Sequence, residues 1–247
     1  MKILRIDDVG ASSKHFNQHG RKVFRFKGVP FFYFPLANFW FFKRVWPFKR
    51  WGVYDELSTS EWNKYLQLFD KYQIVPIVAV TACWVEKNGV FVPFYLKFPD
   101  EAEVLKKAVK NGKITIANHG LTHCVVGNHL PKIWSRNNDN HREFWPYLSQ
   151  SWHNEHISRS QEILEGYFGV PVEILVPPGN IWSYKTYLAV LNTNIKKIIC
   201  GRYMADGEKK MDGIEFVDDK ENFLLLHDRD LKLKDEDWLT KQLLSFK

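Results

Sequence analysis

The sequence has few cysteines and no long apolar run. Three cysteines in 247 residues are too few and too widely spaced for a disulfide framework, and none belongs to a Cys-x-x-Cys pair. No uninterrupted apolar stretch is long enough to span a bilayer. A Gly/Ser-rich linker and a repeat of fixed period are also missing. These absences argue against a disulfide scaffold and a repeat protein, and we expect one domain over residues 1–247.

Positive charge exceeds negative charge, with a formal net charge of +7 and a pI of about 9.1. The lysines and arginines are scattered and form only short clusters such as Lys43-Arg44. A solvated surface is the first interpretation, and attraction to an anionic glycan, a nucleotide-linked sugar or a membrane surface is the alternative. Because no dense basic patch is recognisable, we expect no nucleic-acid partner.

The N-terminal Met-Lys leads directly into an apolar run that ends at Asp7 and Asp8. A cleavable leader would remove these two carboxylates, so we expect none and expect a cytoplasmic location. An aromatic stretch at 31–42 is interpreted as a sugar-binding lip. Contact of this stretch with a membrane surface is the alternative.

Strand-like segments alternate with segments of helical periodicity. Strands are predicted around residues 2–7, 74–80, 114–117, 173–176, 195–200 and 223–226, and helices over 60–72, 99–110, 150–168, 183–192 and 235–244. Repeated strand–helix units predict an α/β fold with a parallel sheet. The candidate functional residues follow different strands, and barrel closure would bring those strand ends to one mouth. An open sheet is the alternative, and the irregular stretches 14–57 and 124–149 are predicted as long loops over the mouth.

His119 and His123 follow one predicted strand with a spacing of four residues. This spacing is typical of two metal ligands on one face of a helical turn, and Gly120 permits a sharp turn from strand into helix. Nine histidines make chance pairs common, so a hydrogen-bonded pair without metal is the alternative. Cys124 is not expected to be a ligand, because its side chain should point away from His123.

Asp7 and Asp8 are adjacent carboxylates at the end of a buried strand. They repel each other and resist burial, and a nearby cation offsets both costs. An Asx turn would account for only one of them. One carboxylate with two imidazoles leaves coordination positions free, which indicates a catalytic rather than a structural metal site.

These motifs resemble the polysaccharide deacetylases of the NodB-homology type, carbohydrate esterase family four. The resemblance rests on four segments in order: Ile6-Asp7-Asp8-Val9-Gly10, His119-Gly120-Leu121-Thr122-His123, Val176-Pro177-Pro178-Gly179-Asn180 and Leu225-Leu226-His227. It implies a distorted, incomplete (β/α) barrel. It also implies a metal-dependent hydrolase that removes the acetyl group from an N-acetylated sugar or glycan precursor, which is free, nucleotide-linked or lipid-linked.

The resemblance also assigns roles to residues. Asp7 would be the general base and His227 the general acid. Asp8, His119 and His123 would bind one divalent ion. We expect zinc, with iron, cobalt and manganese as alternatives, because such ligand sets accept all of them.

Four further residues are candidates for contact with the substrate. Asn180 follows the Pro-rich turn and is expected to bind a sugar hydroxyl or the oxyanion, for which a backbone N–H after His123 is the other candidate. Trp40, Trp84 and Trp182 are candidates to stack on sugar faces, and core filling is the alternative for each.

The chain departs from the family pattern at the base and at the acid. Leu175-Val176 stands where the family has an Arg that orients the base. The replacement candidates are Arg5, Arg202 and Arg229.

The family's Asp-Trp motif, which tunes the acid His, is not recognisable, and Asp206 and Asp228 are candidates for that role by proximity in sequence. The departures leave two alternatives open. One is a related sugar amidase or deformylase, and the other is a glycan-binding module that has lost turnover.

Overall fold

The computed structural model describes residues 3–16, 23–26, 29–32, 55–130, 142–207, 209–220, 222–234 and 236–246. The strands are β1 (Ile3–Val9), β2 (Val23–Phe26), β3 (Val29–Phe32), β4 (Ile77–Val80), β5 (Cys83–Val85), β6 (Phe91–Pro93), β7 (Thr115–Asn118), β8 (Ile174–Leu175), β9 (Lys197–Ile199), β10 (Glu215–Val217) and β11 (Phe223–His227). The α-helices are α1 (Ser12–Phe16), α2 (Thr59–Lys71), α3 (Phe94–Lys97), α4 (Pro99–Lys110), α5 (Gln150–Phe168), α6 (Tyr184–Val190), α7 (Asp228–Leu233) and α8 (Glu236–Phe246).

Seven of these strands form one parallel sheet in the order β10-β9-β8-β7-β4-β1-β11. Within the described ranges the two edge strands, β10 and β11, share no ladder, although only residues 218–222 separate them along the chain. The sheet is therefore a half-barrel of the incomplete (β/α) type. The incomplete barrel predicted from the motifs is confirmed.

The half-barrel has an outer and an inner apolar layer. Leu4, Ile6 and Val9 of β1 face outward and belong to the large core under the helices, together with Trp62 of α2 and Leu105 of α4. The inner layer is a smaller cluster from neighbouring strands, comprising Ile77, Ala79, Ala117, Val176 and Ile199. Both faces of the sheet are covered, as a parallel sheet requires.

Helix caps determine where the long helices start and stop. Ser58 and Glu61 form a capping box at α2, in which Glu61 Oε2 accepts from the Ser58 N–H at 2.8 Å. Such a cap stabilises a helix by about 1 kcal/mol. Ser149 accepts from the Trp152 N–H at the start of α5, and Gly169 ends that helix in the left-handed region at φ 72°.

The predicted elements agree with the structure where their periodicity is long. The helices over 99–110 and 150–168 have the predicted bounds, and the strand in 74–80 begins at Ile77, after Pro76. Short elements were missed, namely α1, α3, α7, β10, the β5–β6 hairpin, and the β2–β3 hairpin inside the stretch predicted as loop. Three- and four-residue strands show too little alternation to be recognised.

No helix in the described ranges has both the length and the apolar character that crossing a bilayer requires.

Candidate active site

A bulge in β1 turns Asp7 and Asp8 toward the same mouth. Neighbouring residues of a regular strand point to opposite faces, so two adjacent carboxylates should diverge. Here Ile6 pairs with Val78 and Val9 pairs with Val80, so two residues of β1 stand opposite the single residue between them on β4. Asp8 has a left-handed φ of 69°. The extra residue lets both carboxylates line one cavity, while Val9 returns to the outer core.

The two imidazoles come from a loop directly after β7. Residues 119–120 have no regular structure and residues 121–124 form bends, in place of the predicted helical turn. Gly120 and His123 have φ values of 81° and 57°, which breaks any helical progression. The prediction of a helix at this point is wrong, because the four-residue spacing is met by a tight loop that folds His123 back beside His119.

The three predicted ligand side chains meet. Asp8 Oδ1 lies 3.3 Å from His119 Nε2 and 3.0 Å from His123 Nε2. One ligand atom of each residue lies within 4.8 Å of the other two. Ligands about 2.0–2.2 Å from one tetrahedral ion are separated by about 3.3 Å, so this donor set fits a single divalent cation.

Outer contacts orient both imidazoles toward Asp8. The Val176 carbonyl accepts from His119 Nδ1 at 2.6 Å, and Ser13 Oγ lies 2.9 Å from His123 Nδ1. These contacts leave Nε2 of each ring for a metal. Burial would raise the pKa of Asp8, but the charge and hydrogen bonds of His123 and His119 hold it well below its usual range.

Arg5 binds the candidate base from the same strand. Its guanidinium is fully buried, and Nη2 donates to Asp7 Oδ2 at 2.9 Å while Nη1 donates to Asp219 Oδ2 at 2.5 Å. Asp7 Oδ1 is buried at the cavity and has no hydrogen-bond partner among the described residues. Of the three arginines considered, Arg5 therefore stands where the base needs a cation.

His227 lies beside Asp7 and against Asp230. Asp7 and His227 are direct partners in the β1–β11 register. His227 Nδ1 lies 3.6 Å from Asp230 Oδ2. Partial burial would lower the pKa of His227, but the nearby Asp230 carboxylate and the charges of Asp8 and Asp7 raise it to about 9.

The partner of the acid was therefore misassigned from the sequence. Asp206 accepts the Tyr184 N–H, and Asp228 pairs with Lys14. The carboxylate found beside the His227 imidazole is that of Asp230. The signal for Asp230 was its position three residues after His227, where it caps the first turn of α7 and accepts the His227 N–H.

A buried lysine, Lys14, hydrogen-bonds to the backbone of the β1 bulge. Lys14 Nζ donates to the Asp8 carbonyl oxygen and to the Asp228 carboxylate, and lies 2.7 Å from Glu56 Oε1. Its side chain is only 1% exposed. Burial and Asp228 outweigh Lys14 and raise the pKa of Glu56 to about 7. Sequence periodicity gave no sign of this cluster, because Lys14 and Glu56 lie in stretches predicted as loop.

The candidate base, acid and metal ligands line a cavity of about 360 Å³. Its lining comprises Asp7, Asp8, His119, His123, Arg142, Pro177, Gly179, Asn180, His227, Arg229 and Asp230. Asn180 is at the cavity as expected, on a 3₁₀ turn over Pro178–Asn180. Its backbone N–H is bonded to the Pro177 carbonyl, so only its side chain can serve an oxyanion.

The tryptophans fit the sugar-stacking expectation poorly. Trp182 is wholly buried, stacks on Phe216 and donates Nε1 to the Arg202 carbonyl at 2.7 Å. The predicted substrate contact of Trp182 is therefore wrong, and core filling is its role. Trp84 is 6% exposed and lies outside the cavity lining, while Trp40 is outside the described residues.

Cys124 was not expected to bind the metal, and it lies outside the group of candidate ligands that the described residues form. It is fully buried. Burial raises the pKa of its thiol, which disfavours the thiolate that a metal binds.

The sequence model of the polysaccharide deacetylase family matches residues 51–198, more than half of the chain. The chain belongs to this family. The matched part contains His119, His123 and the Pro-rich turn, whereas Asp7, Asp8 and His227 lie outside it. No curated protein sequence matches the chain.

The solved structures that this chain resembles are distant in sequence. IcaB from Ammonifex degensii is 13% identical, with a TM-score of 0.44 over 78% of this chain and 70% of that one. The BpsB deacetylase domain from Bordetella bronchiseptica is 15% identical, with a TM-score of 0.47 over 70% and 69%. BA3943 from Bacillus anthracis, described as a carbohydrate esterase family four pseudoenzyme, is 11% identical, with a TM-score of 0.44 over 76% and 57%.

Proposed function

We propose that this chain is a metal-dependent hydrolase that removes the acetyl group from an N-acetylated sugar or glycan precursor. One observation carries the proposal. The ligand atoms of Asp8, His119 and His123 lie within 4.8 Å of one another, and Asp7 and His227 line the same cavity. A base, an acid and a place for a Lewis acid are the groups that amide hydrolysis requires.

Asp8, His119 and His123 would hold one divalent ion, for which we propose zinc, with iron, cobalt and manganese as alternatives. When bound, such an ion lowers the pKa of water and polarises a carbonyl oxygen. The mixed nitrogen and oxygen donors, and both Nε2 atoms facing Asp8, support this assignment.

Asp7 takes the proton from the attacking water. Arg5 holds Asp7 Oδ2, which leaves Oδ1 facing the cavity as the proton acceptor. The guanidinium is fixed in turn by Asp219, so the carboxylate has little freedom to rotate.

His227 delivers a proton to the nitrogen that leaves. A neutral amine departs far more readily than an amide anion, so the imidazole must be charged when the intermediate collapses. A pKa of about 9 keeps His227 charged at neutral pH. About half of its side chain is exposed, which allows the imidazole to recover a proton from solvent.

The cavity limits what can enter. A volume of about 360 Å³ is at the small end of the range for small-molecule sites and suits one sugar ring. Asn180 is placed to contact a hydroxyl or the oxyanion. A carbohydrate partner, free or linked to a nucleotide or lipid, and a cytoplasmic location remain predictions.

The test combines metal analysis with acetate release. The purified chain is assayed for bound metal and then incubated with N-acetyl sugars, nucleotide-sugars and lipid-linked glycans. We expect about one metal per chain and acetate release from at least one substrate class, both lost after chelation. Metal binding without any acetate release contradicts the hydrolase and favours a glycan-binding module.

Asp7→Asn separates chemistry from metal binding. The amide keeps the shape of the side chain but is a poor base, so we expect full metal content and a loss of turnover. Asp70→Asn on the exposed face of α2 is the matched control and should leave both unchanged. Normal hydrolysis by Asp7→Asn contradicts the assignment of the base.

A further inference from the structure

The Glu143 carboxylate lies beneath the loop that joins the two imidazoles. The residue is fully buried. Its Oε1 accepts the Leu121 N–H at 2.9 Å, and its Oε2 accepts the Thr122 and His123 N–H groups at 3.2 and 2.7 Å. Three successive peptide N–H groups therefore converge on one carboxylate, which ties the backbone of the loop to a single side chain.

The N–H group of Gly120, the first residue between the two histidines, is also bound by a side chain. Asn118 Oδ1 accepts the Gly120 N–H at 2.9 Å, and Asn118 Nδ2 is fixed by Ser160 and Gln161 of α5. The Gly120 and Leu121 carbonyls accept from the Ala82 and Cys83 N–H groups, and side chains complete the pairing that the buried N–H groups of 120–123 need.

Gly120 is required for this close approach. A Cβ atom at position 120 would lie 2.2 Å from Glu143 Oε2 and 3.1 Å from Pro178 Cγ. With φ at 81°, a larger residue would also be strained. The space that a side chain at 120 would occupy is taken by the Glu143 carboxylate.

Helix α5 fixes Glu143 in place. His156 Nδ1 lies 2.5 Å from Glu143 Oε1, and the imidazole stacks on Trp152 with ring centroids 3.8 Å apart. Trp152 Nε1 donates to the Glu143 carbonyl at 3.1 Å. Both ends of Glu143 are thus anchored to the same helix.

We propose that Glu143 is the positioning residue of the metal loop, and that His156 completes it by orienting the carboxylate. Among the described residues, Glu143 is neither in the cavity lining nor in the ligand group. It acts on the ligands through the peptide groups of 121–123, which set the direction of the His123 imidazole relative to His119. The inference rests on the proposed function, since it assumes that these imidazoles bind a metal.

The test measures cobalt(II) affinity by competition with a chromophoric chelator, together with the visible spectrum of the bound ion. Glu143→Gln leaves one acceptor oxygen and places an NH₂ group against backbone donors. We expect affinity to fall about 10- to 100-fold with a changed spectrum. Glu165→Gln is the matched control, because Glu165 also accepts a backbone N–H, from Val172, at the far end of α5. It should bind cobalt as the unmodified chain does.

His156 supplies an independent pair of variants. His156→Asn keeps a donor near the position of Nδ1, whereas His156→Phe removes it. We expect the asparagine variant to bind cobalt more tightly than the phenylalanine variant. This order is not expected of a change in core packing alone, since phenylalanine retains the stacking on Trp152.

The outcomes separate this inference from the proposed function. A folded Glu143→Gln protein, judged by near-ultraviolet circular dichroism, with unchanged affinity and spectrum overturns the role of Glu143 alone. If that variant does not fold, equal affinities of the two His156 variants overturn it. An unmodified chain that binds no cobalt overturns the proposed metal site and this inference with it.

Discussion

Arg5 donates to Asp7 Oδ2 at 2.9 Å from two residues earlier in the same strand. Alternate residues of a strand share a face, so the cation that orients the candidate base is built into the strand that carries it. The third family motif usually provides this charge, and Leu175-Val176 has none. Arg5 occupies the corresponding chemical position from another element of the fold.

Arg5→Lys should reduce kcat by about 10- to 100-fold while metal content stays the same. Lysine keeps the charge but cannot bridge Asp7 and Asp219 with a planar fork. Steady-state kinetics with metal analysis check this. Arg202→Lys, on the exposed surface, is the matched control, and equal kcat values for the two variants would remove Arg5 from the mechanism.

Asp8→Asn and His119→Ala should each lose bound metal. Each removes one of three donors, and the asparagine tolerates the left-handed backbone at position 8 without the charge. Metal content after dialysis against a weak chelator is the measurement. His129→Ala, a buried histidine outside the cavity lining, should keep its metal. A fully loaded Asp8→Asn/His119→Ala double variant rules out the proposed ligands.

The fall of kcat at high pH, the alkaline limb of the pH profile, should follow the loss of the proton from His227. Its pKa is raised from 6.5 to about 9, so the charged acid is present below the raised value and is lost as the pH increases through it. Asp230→Asn removes the hydrogen-bonding carboxylate and should move this limb to lower pH. The pH profile of kcat and the titration of the His227 ring protons in the metal-free protein check this. Asp237→Asn on exposed α8 should leave the limb in place, and an unmoved limb in Asp230→Asn argues against His227 as the acid.

Lys14→Met should lower the free energy of unfolding by about 3–5 kcal/mol, because it leaves buried carboxylates without their cation. Chemical denaturation measures the loss. Neutralising the partners as well, in a Lys14→Met/Glu56→Gln/Asp228→Asn variant, should restore part of it. A triple variant no more stable than Lys14→Met would show that the charges are not the cause.

The sequence reveals those parts of the site that are marked by apolar runs. Asp8, His119 and His227 each stand directly after an apolar run of the sequence, and parallel strands bring their carboxyl ends together, so their meeting could be predicted. Asp230 and Arg5 were recoverable from local rules, namely a cap three residues into a helix and alternation along a strand.

Other parts carry no local signal. Lys14 and Glu143 are buried charges in segments that were predicted as loop, where no periodicity distinguishes a buried side chain from a solvated one. Trp182 was misread because an aromatic near a functional turn suits a core and a sugar equally well. The loop at His119 shows that one residue spacing can be met by two backbone shapes.

The bulge in β1 places the candidate base, Asp7, and the candidate metal ligand, Asp8, on adjacent residues that face the same cavity. Removing either residue between Ile6 and Val9 would restore regular alternation, but it would delete one of the two carboxylates and leave the cavity with only the other. Substitution of side chains can therefore tune this centre, whereas a change of strand length at this position would dismantle it. An active descendant of this chain should keep its length here even where its sequence drifts.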